Sequence, residues 1–397
     1  MDNLTKDINI FQGIAVVVVA LLGSGVFIVP AIGASISGAN SLLAWVLISF
    51  AILPIAYTFG IFGKTYPHFE GSAYFIQKTF GKNIGKTVGL MYLSIIPIGP
   101  PVVIVIASSY LTSLVSGLSL VVASGLMIFV IYILNQFRFS ISSNISMVVV
   151  FVILCIIAII TYAAVSKETA VVFGAFDNSF LVSVGIMFWC FVGIEAISHM
   201  SSEFKNPSDF SKVAMSGIVI VAILYTSVGF AVLKFGMYGD ETTNIHSLIS
   251  IFDDILPVYG GTVLSIVGFL ICLIAVHIYV ASFTRILYSY SKPTLTFHQI
   301  LVAICITIAT TTAMKIYYSI DIERLMMYAN GVFVLIYFLV ALSGAVLFEK
   351  IDKVIAILSV VLLSIIIYII GFSMVYAVGA FAGLWAVGSV WRSLDTE

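Results

Sequence analysis

Charged residues are scarce in this chain. Only 9% of its 397 residues are Asp, Glu, Lys or Arg, whereas a soluble domain carries about 25% of them. Hydrophobic residues account for 61% of the sequence, which is more than the core of a soluble protein absorbs. The composition therefore excludes a soluble enzyme or a soluble binding domain, and it predicts a protein that lies in a lipid bilayer.

Cysteine is also scarce, because the chain contains only four. They lie inside apolar runs, at Cys155, Cys190, Cys272 and Cys305. They have neither the spacing of metal ligands nor the loop positions of a disulfide framework. We therefore interpret them as reduced packing residues, with Cys190 also falling in the candidate site below, and we expect no metal and no cofactor.

Long apolar runs fill the sequence almost from end to end. A helix needs about 20 residues to cross about 30 Å of hydrocarbon, and short polar breaks divide the chain into runs of this kind. The predicted spans lie near residues 10–35, 41–63, 87–115, 118–137, 144–165, 179–203, 212–235, 259–290, 297–316, 324–348, 354–370 and 372–391. The expected fold class is an all-α membrane protein with twelve transmembrane helices, in which residues 1–397 form a single transmembrane domain.

The distribution of Lys and Arg orients these spans. If both termini lie on one side of the membrane, thirteen of the seventeen basic residues fall on that side. The other side holds only Lys167, Lys234, Lys315 and Arg324. Because cytoplasmic loops are enriched in basic residues, we expect both termini to be cytoplasmic, in a bacterial inner membrane. The first run lacks a small-residue cleavage site, so we expect it to remain as the first span.

The loop between the seventh and eighth spans falls on the predicted external side. It covers residues 237–259 and carries Asp240, Glu241, Asp253 and Asp254. Two interpretations stay open for it: a solvated acidic loop, and short helices over the external mouth of the protein.

The first span is interrupted by two glycines. Gly23, Ser24 and Gly25 lie in the middle of the apolar run, and Pro30 follows. Glycine lets the backbone leave helical geometry, and the freed N–H and C=O groups are costly in hydrocarbon unless something binds them. One interpretation is a ligand site, where the positive end of the second half-helix binds a carboxylate. The other is a close helix contact, since small residues are frequent at such interfaces.

The sixth span favours the ligand site. It carries an aromatic cluster that ends at Phe191, followed by Gly193 and by the carboxylate of Glu195 near mid-membrane. Five helices separate the start of one interrupted span from the start of the other, and an odd number of helices per repeat inverts the second repeat. Paired discontinuous helices in inverted repeats are typical of secondary transporters, with the substrate site between them.

Several segments resemble a known family. Residues 22–30 (Leu-Gly-Ser-Gly-Val-Phe-Ile-Val-Pro) are similar to the first-helix motif of the amino acid/polyamine/organocation superfamily, and residues 188–195 resemble its sixth helix. Residues 187–195, 202–207 (Ser-Glu-Phe-Lys-Asn-Pro) and 328–333 (Tyr-Ala-Asn-Gly-Val-Phe) are similar to the bacterial exporters of L-methionine and branched-chain amino acids within that superfamily. The resemblance extends over nearly the whole chain.

The resemblance implies the LeuT fold, a 5+5 inverted repeat in which helices 1 and 6 are discontinuous. Repeat one would then cover about residues 9–165 and repeat two about residues 179–348. Helices 11 and 12 would follow at about residues 354–391.

The resemblance also implies roles for individual residues. The amides of Ser24 and Gly25 would bind the substrate carboxylate, and carbonyls near Leu21 and Val192 would bind its ammonium group. Trp189, Cys190 and Phe191 of the sixth span would form the wall of the pocket for the substrate side chain. The expected substrate-binding residues are Leu21, Gly23, Ser24, Gly25, Trp189, Cys190, Phe191, Val192 and Gly193.

Glu195 is the clearest ionisable residue inside a span, where a charge costs about 2.5–3.5 kcal/mol. Glu195, His199 and Glu203 are spaced four residues apart on one helix face, so we consider them a candidate proton path. In the structural alternative, Glu195 accepts hydrogen bonds from the unwound backbone, and the other two lie among lipid headgroups. Ala281 and Thr284 are candidate sodium ligands if sodium replaces the proton.

Aromatic, sulfur-containing and aliphatic side chains surround the expected site, without an opposing carboxylate or arginine. An apolar amino acid such as methionine, leucine, isoleucine or valine therefore fits better than a charged amino acid or a polyamine. The expected function is proton-coupled antiport that exports such amino acids, and the outward direction rests on the resemblance alone. Import and exchange stay open.

Other classes of function are less well supported by the sequence. An enzyme would need a catalytic pair or a metal-ligand set, and a channel would show rings of filter residues. A nutrient-sensing receptor with the same fold is the alternative from a different class. The expected partners are the amino acid, the proton and the lipid bilayer, with no nucleic acid, and both a monomer and a homodimer stay open.

Overall fold

The structure, a computed structural model, describes residues 9–66, 68, 71–137, 143–195, 206–291 and 294–395. Within these ranges the regular secondary structure is helical and contains no strand. The helices are α1 Ile10–Leu22, α2 Gly25–Ser37, α3 Asn40–Thr65, α4 Ser72–Phe80, α5 Lys82–Met91, α6 Gly99–Leu114, α7 Leu120–Gln136, α8 Ser143–Val165, α9 Asn178–Met187, α10 Pro207–Phe235, α11 Glu241–Ile255, α12 Gly260–Ser291, α13 Phe297–Tyr317, α14 Ile322–Leu347, α15 Lys350–Ile370 and α16 Met374–Asp395. Short 3₁₀ helices lie at Tyr92–Ile95, Phe188–Phe191 and Gly371–Ser373.

Many of these helices are long and apolar enough to cross a membrane. In the described part of the chain there are eight such stretches, or nine if α1 and α2 count as one bent span. Two shorter apolar helices are α7 and the stretch Asn178–Phe191. The expectation of an all-α chain with membrane-length helices is thus confirmed for the described residues.

The predicted eleventh and twelfth spans lie in one stretch, Lys350–Ala386. It counts as one apolar stretch by its hydropathy, but Gly371 has a φ of 56° and separates α15 from α16. Helix α15 packs against α3 and α14, whereas α16 packs against α5 and α14. Twelve crossings require α15 and α16 to span the membrane separately, and that number stays a prediction.

Helix α10 ties the interrupted first span to the rest of the protein. It packs against α1, α2, α3 and α8. Trp45 on α3 stacks on Tyr225 of α10, with ring centroids 5.0 Å apart and planes nearly parallel. On α8, in contrast, Phe151 and Tyr162 are largely exposed, as expected for side chains that meet lipid. Residues 25–34 of α2 are all buried, so the second half of the broken span lies in the interior, and α8 contributes to the outer surface.

Residues 241–255 form helix α11, so the acidic loop is not an irregular solvated segment. Asp240 caps the helix, because its carboxylate accepts the N–H of Thr243 at 2.8 Å. The inner face of α11 is buried, and Asn244 donates to the hydroxyl of Ser35 on α2 at 3.3 Å. Helix α11 thus lies directly on the second half of the broken first span.

Candidate functional site

The first helix break lies where the sequence predicted an interruption. Helix α1 ends at Leu22 and α2 begins at Gly25, and the two helices are bent by 46°. Gly23 has a φ of 37°, a conformation that residues with a side chain rarely adopt. The first N–H groups of α2 have no partner within their own helix. The break thus presents backbone donors in the interior of the protein.

The second helix break follows the 3₁₀ helix Phe188–Phe191. Val192 is extended, with φ of −70° and ψ of 129°, and Gly193 has a φ of 128°. A Cβ atom at Gly193 would lie only 3.2 Å from the carbonyl oxygen of Ala20. The two breaks are therefore in direct contact, since Ala20 belongs to the last turn of α1.

A cavity lies between the two breaks. Its lining consists of Ala20, Leu21, Leu22, Gly23, Ser24, Gly25, Ile95, Gly99, Pro100, Val103, Trp189, Val192, Ala275, Val276, Tyr279, Phe283 and Phe333. None of these residues is charged. The cavity volume is about 60 Å³, which is room for a few water molecules, so an amino acid enters only if the lining opens.

Six of the nine expected substrate-binding residues line this cavity, and the remaining three lie behind it. Cys190 and Phe191 are fully buried. The sulfur of Cys190 lies 3.1 Å from the position of a Cβ atom at Gly25, and the ring of Phe191 faces Tyr225. Together with Gly193, these residues pack the two breaks against each other.

The expected substrate-binding residues come from the first and sixth spans, whereas the cavity lining also includes residues from other helices. Helix α6 contributes Gly99, Pro100 and Val103. Helix α12 contributes Ala275, Val276, Tyr279 and Phe283. The first turn of α6 contains proline and follows an irregular residue, Ile98. Proline in the sequence is the local signal that this span bends near the site. The apolar residues of α12 carry no such signal.

Tyr225 holds the first break. Its hydroxyl lies 3.0 Å from the carbonyl oxygen of Leu21 and 3.0 Å from that of Leu22. It is also 2.6 Å from the position of a Cβ atom at Gly25, so only glycine fits there without displacing the hydroxyl. The ring is fully buried and stacked on Trp45. The hydroxyl of Tyr225 therefore donates, from a rigidly held ring, to carbonyl groups that have no helical partner at the break.

Glu195 and Tyr337 hold the second break. The carboxylate of Glu195 is 2% exposed and accepts the N–H of Gly193 at 3.0 Å. It also accepts a hydrogen bond from the hydroxyl of Tyr337 on α14. Close by, Asn330 on α14 donates to the carbonyl of Gly185, near the end of α9, at 2.9 Å. The second break is thus stabilised by an ionisable side chain and by α14.

The expected sodium ligands Ala281 and Thr284 do not join this cluster. His199 and Glu203 lie outside the described residues. Thr284 is buried, and its hydroxyl donates to the carbonyl of Val280 at 2.7 Å. Neither Thr284 nor Ala281 lines the cavity between the breaks. Among the described residues, Glu195 is therefore the predicted coupling residue that contacts a break.

The sequence is similar to known amino acid transporters. A family model described as "Amino acid permease" matches residues 8–295. The L-methionine/branched-chain amino acid exporter of Escherichia coli is 31% identical, over 97% of this chain and 96% of that protein. An uncharacterised amino acid permease of Bacillus subtilis is 27% identical over 74% of this chain and 70% of that protein.

A third relative, an arginine/ornithine antiporter of Latilactobacillus sakei, is 25% identical over 64% of this chain and 58% of that protein. The resemblance to the amino acid/polyamine/organocation superfamily is thereby confirmed. Because the family model covers most of the sequence, and the relative from Escherichia coli nearly all of it, the chain belongs to the amino acid permease family and is a membrane transporter, not an enzyme.

Proposed function

We propose that this chain exports apolar amino acids, namely L-methionine, leucine, isoleucine and valine, across the bacterial inner membrane by proton-coupled antiport. It does so as a LeuT-fold protein with twelve spans and cytoplasmic termini. The observation that carries the proposal is the cavity between the two helix breaks. That cavity combines backbone groups at both breaks with a lining that contains no charged side chain.

The charged ends of the substrate are met by backbone groups in this proposal. The N–H groups of Ser24 and Gly25 bind the carboxylate, where the positive end of α2 favours an anion. Carbonyls of Leu21 and Val192 accept from the ammonium group. Leu21 already accepts from Tyr225, and a carbonyl oxygen has two lone pairs, so it serves both donors.

The side chain of the substrate lies against apolar groups. Trp189, Val103 and Phe283 line the cavity from three different helices. A charged substrate side chain would lose its hydration there without gaining a partner. Methionine and the branched-chain amino acids lose only contact with water, and they gain dispersion contacts with the lining.

Glu195 carries the proton in this proposal. When it is ionised, it accepts from Gly193 and Tyr337 and holds the second break together. When it is protonated, its acceptor strength falls and the break loosens. Exchange of one substrate for another is the second candidate, because antiporters are among the relatives.

The test is efflux of labelled methionine from preloaded proteoliposomes, with and without an imposed pH gradient. We expect the gradient to accelerate efflux from the parent chain and from Glu168→Gln, a variant of an exposed carboxylate. In Glu195→Gln we expect the gradient to lose its effect. A response to the gradient in Glu195→Gln would make Glu195 structural. Absence of methionine and leucine transport in the parent chain would refute the substrate assignment.

A further inference from the structure

A second pocket lies apart from the helix breaks, beside α11 on the predicted external side. Its volume is about 530 Å³, within the range of about 300–1,000 Å³ that ligand pockets usually have. It shares no lining residue with the cavity between the breaks. Its lining comes from α11, the ends of α6 and α13, the start of α7 and the turn before α14.

The charged wall of this pocket is built around Lys315. The side chain of Lys315 is only 7% exposed, and its ammonium group forms an ion pair with Glu241. The second oxygen of Glu241 accepts the N–H of Ile322 at 3.0 Å, so both oxygens of this carboxylate are used. The ion pair thus fixes Lys315 in the pocket wall.

Lys315 retains donors for a ligand. An ammonium group has three N–H donors, and Glu241 uses one of them in the described part of the chain. Lys315 lines the pocket, so its remaining N–H donors are available to an acceptor that binds there.

The pocket also offers an acceptor and an apolar wall. Asp321 lines it with a carboxylate that is 69% exposed and lies 4.0 Å from Arg324. The apolar part of the lining consists of Val105, Leu118, Leu120, Ile245 and Ile316. One cation, one available carboxylate and an apolar surface therefore meet in one pocket.

We propose that this pocket is a second binding site, for a small zwitterion with an apolar side chain, that is, for an apolar α-amino acid. Its carboxylate binds Lys315, its ammonium group binds Asp321, and its side chain lies on the apolar wall. A simple anion fits less well, because it uses Lys315 but makes no contact with the carboxylate of Asp321 or with the apolar wall. A cationic side chain fits less well because the remaining wall is apolar.

The test is protection of a thiol placed on the lining by His246→Cys. His246 lines the pocket and is half-buried. The purified full chain is treated with a charged maleimide, with and without L-leucine, and the parent chain measures the reactivity of the four natural cysteines. We expect leucine to slow labelling of the introduced thiol at least threefold, whereas acetate, a carboxylate without an ammonium group, gives no protection.

Variants of the two charged residues identify the contacts. We expect Lys315→Met and Asp321→Asn each to weaken protection by leucine about tenfold, as for loss of a charge-assisted hydrogen bond. Lys315→Arg retains the charge and most of the protection. The matched control is Lys234→Met, because Lys234 lies on the same predicted side and is not part of the pocket. Asp321 is largely exposed, so its variant keeps the test valid if Lys315→Met does not fold.

Other outcomes overturn the inference. Absence of protection in the parent background, or protection that survives both Lys315→Met and Asp321→Asn, excludes the site. Equal protection by acetate shows an adventitious ion only. Loss of protection in Trp189→Ala shows that leucine acts through the cavity between the breaks. Methionine efflux from the same preparation tests the proposed function separately, since binding at this pocket does not require transport.

Discussion

The two helix breaks meet each other but are held in different ways. At the first break, the hydroxyl of Tyr225 donates to the carbonyls of Leu21 and Leu22. At the second, the carboxylate of Glu195 accepts from a backbone N–H and from Tyr337. The partner at the first break is neutral, whereas the partner at the second can lose its charge by binding a proton. We therefore expect protonation to affect the second break and not the first.

The glycines of the two breaks differ as well. Both Gly23 and Gly193 have positive φ, at 37° and 128°. A Cβ atom at Gly23 would meet nothing closer than the carbonyl oxygen of Ala20 at 3.8 Å, whereas one at Gly193 would lie 3.2 Å from that same atom. Gly23 is needed only because of its backbone conformation. Gly193 is needed for its backbone conformation and also because α1 approaches it closely.

The largest effect that we expect comes from these glycines. Gly193→Ala adds steric crowding to backbone strain, and we expect it to cost about 2–4 kcal/mol and to abolish efflux. Gly23→Ala adds backbone strain alone and should cost about 1–2 kcal/mol. The measurement is unfolding by denaturant in mixed micelles, together with methionine efflux. Equal costs would show that the contact between Gly193 and Ala20 is not tight.

The tyrosines should give the next largest effect. Tyr337→Phe removes a donor from ionised Glu195, so we expect the pH of half-maximal efflux to move to higher values. Tyr225→Phe removes a neutral donor from two carbonyls. We expect it to raise the KM for methionine about tenfold and to leave the pH profile unchanged. A pH shift in both variants, or in neither, would remove the distinction between the two breaks.

The helix caps should give the smallest effect. Asn9 caps α1 through its neutral side chain, and Asp177 caps α9. Hydrogen bonds from Ser179 hold the pKa of Asp177 below its usual value of 3.8. The stabilisation by Asp177 is therefore present above that value and is lost as the pH falls through the lowered pKa.

We expect Asp177→Ala to lower the melting temperature slightly at pH 7 and to have no effect once the pH is below the lowered pKa of Asp177. The effect of Asn9→Ala should not depend on pH, because an amide does not ionise. Thermal unfolding of the purified chain between pH 3 and pH 7 measures both. A loss at pH 3 as large as that at pH 7 in Asp177→Ala would argue against the cap.

Local composition was enough to place the helices and their interruptions. Apolar runs predict membrane-length helices wherever they occur, because lipid requires every backbone group to be paired within its own segment. Glycine at positions 23 and 193 predicts the two breaks, because glycine lets the backbone leave helical geometry inside an apolar run. The expectation of an apolar, uncharged site also follows from residues near the breaks.

The partners of the breaks were decided only by the tertiary structure. Tyr225 is 204 residues from Leu21 in sequence, and Tyr337 is 142 residues from Glu195. Nothing local distinguishes these tyrosines from others in apolar helices, because hydrogen bonds across helices depend on which faces meet. For the same reason the family resemblance implied that Cys190 and Phe191 form part of the pocket wall, whereas in the structure they pack against Gly25 and Tyr225 and do not line the cavity.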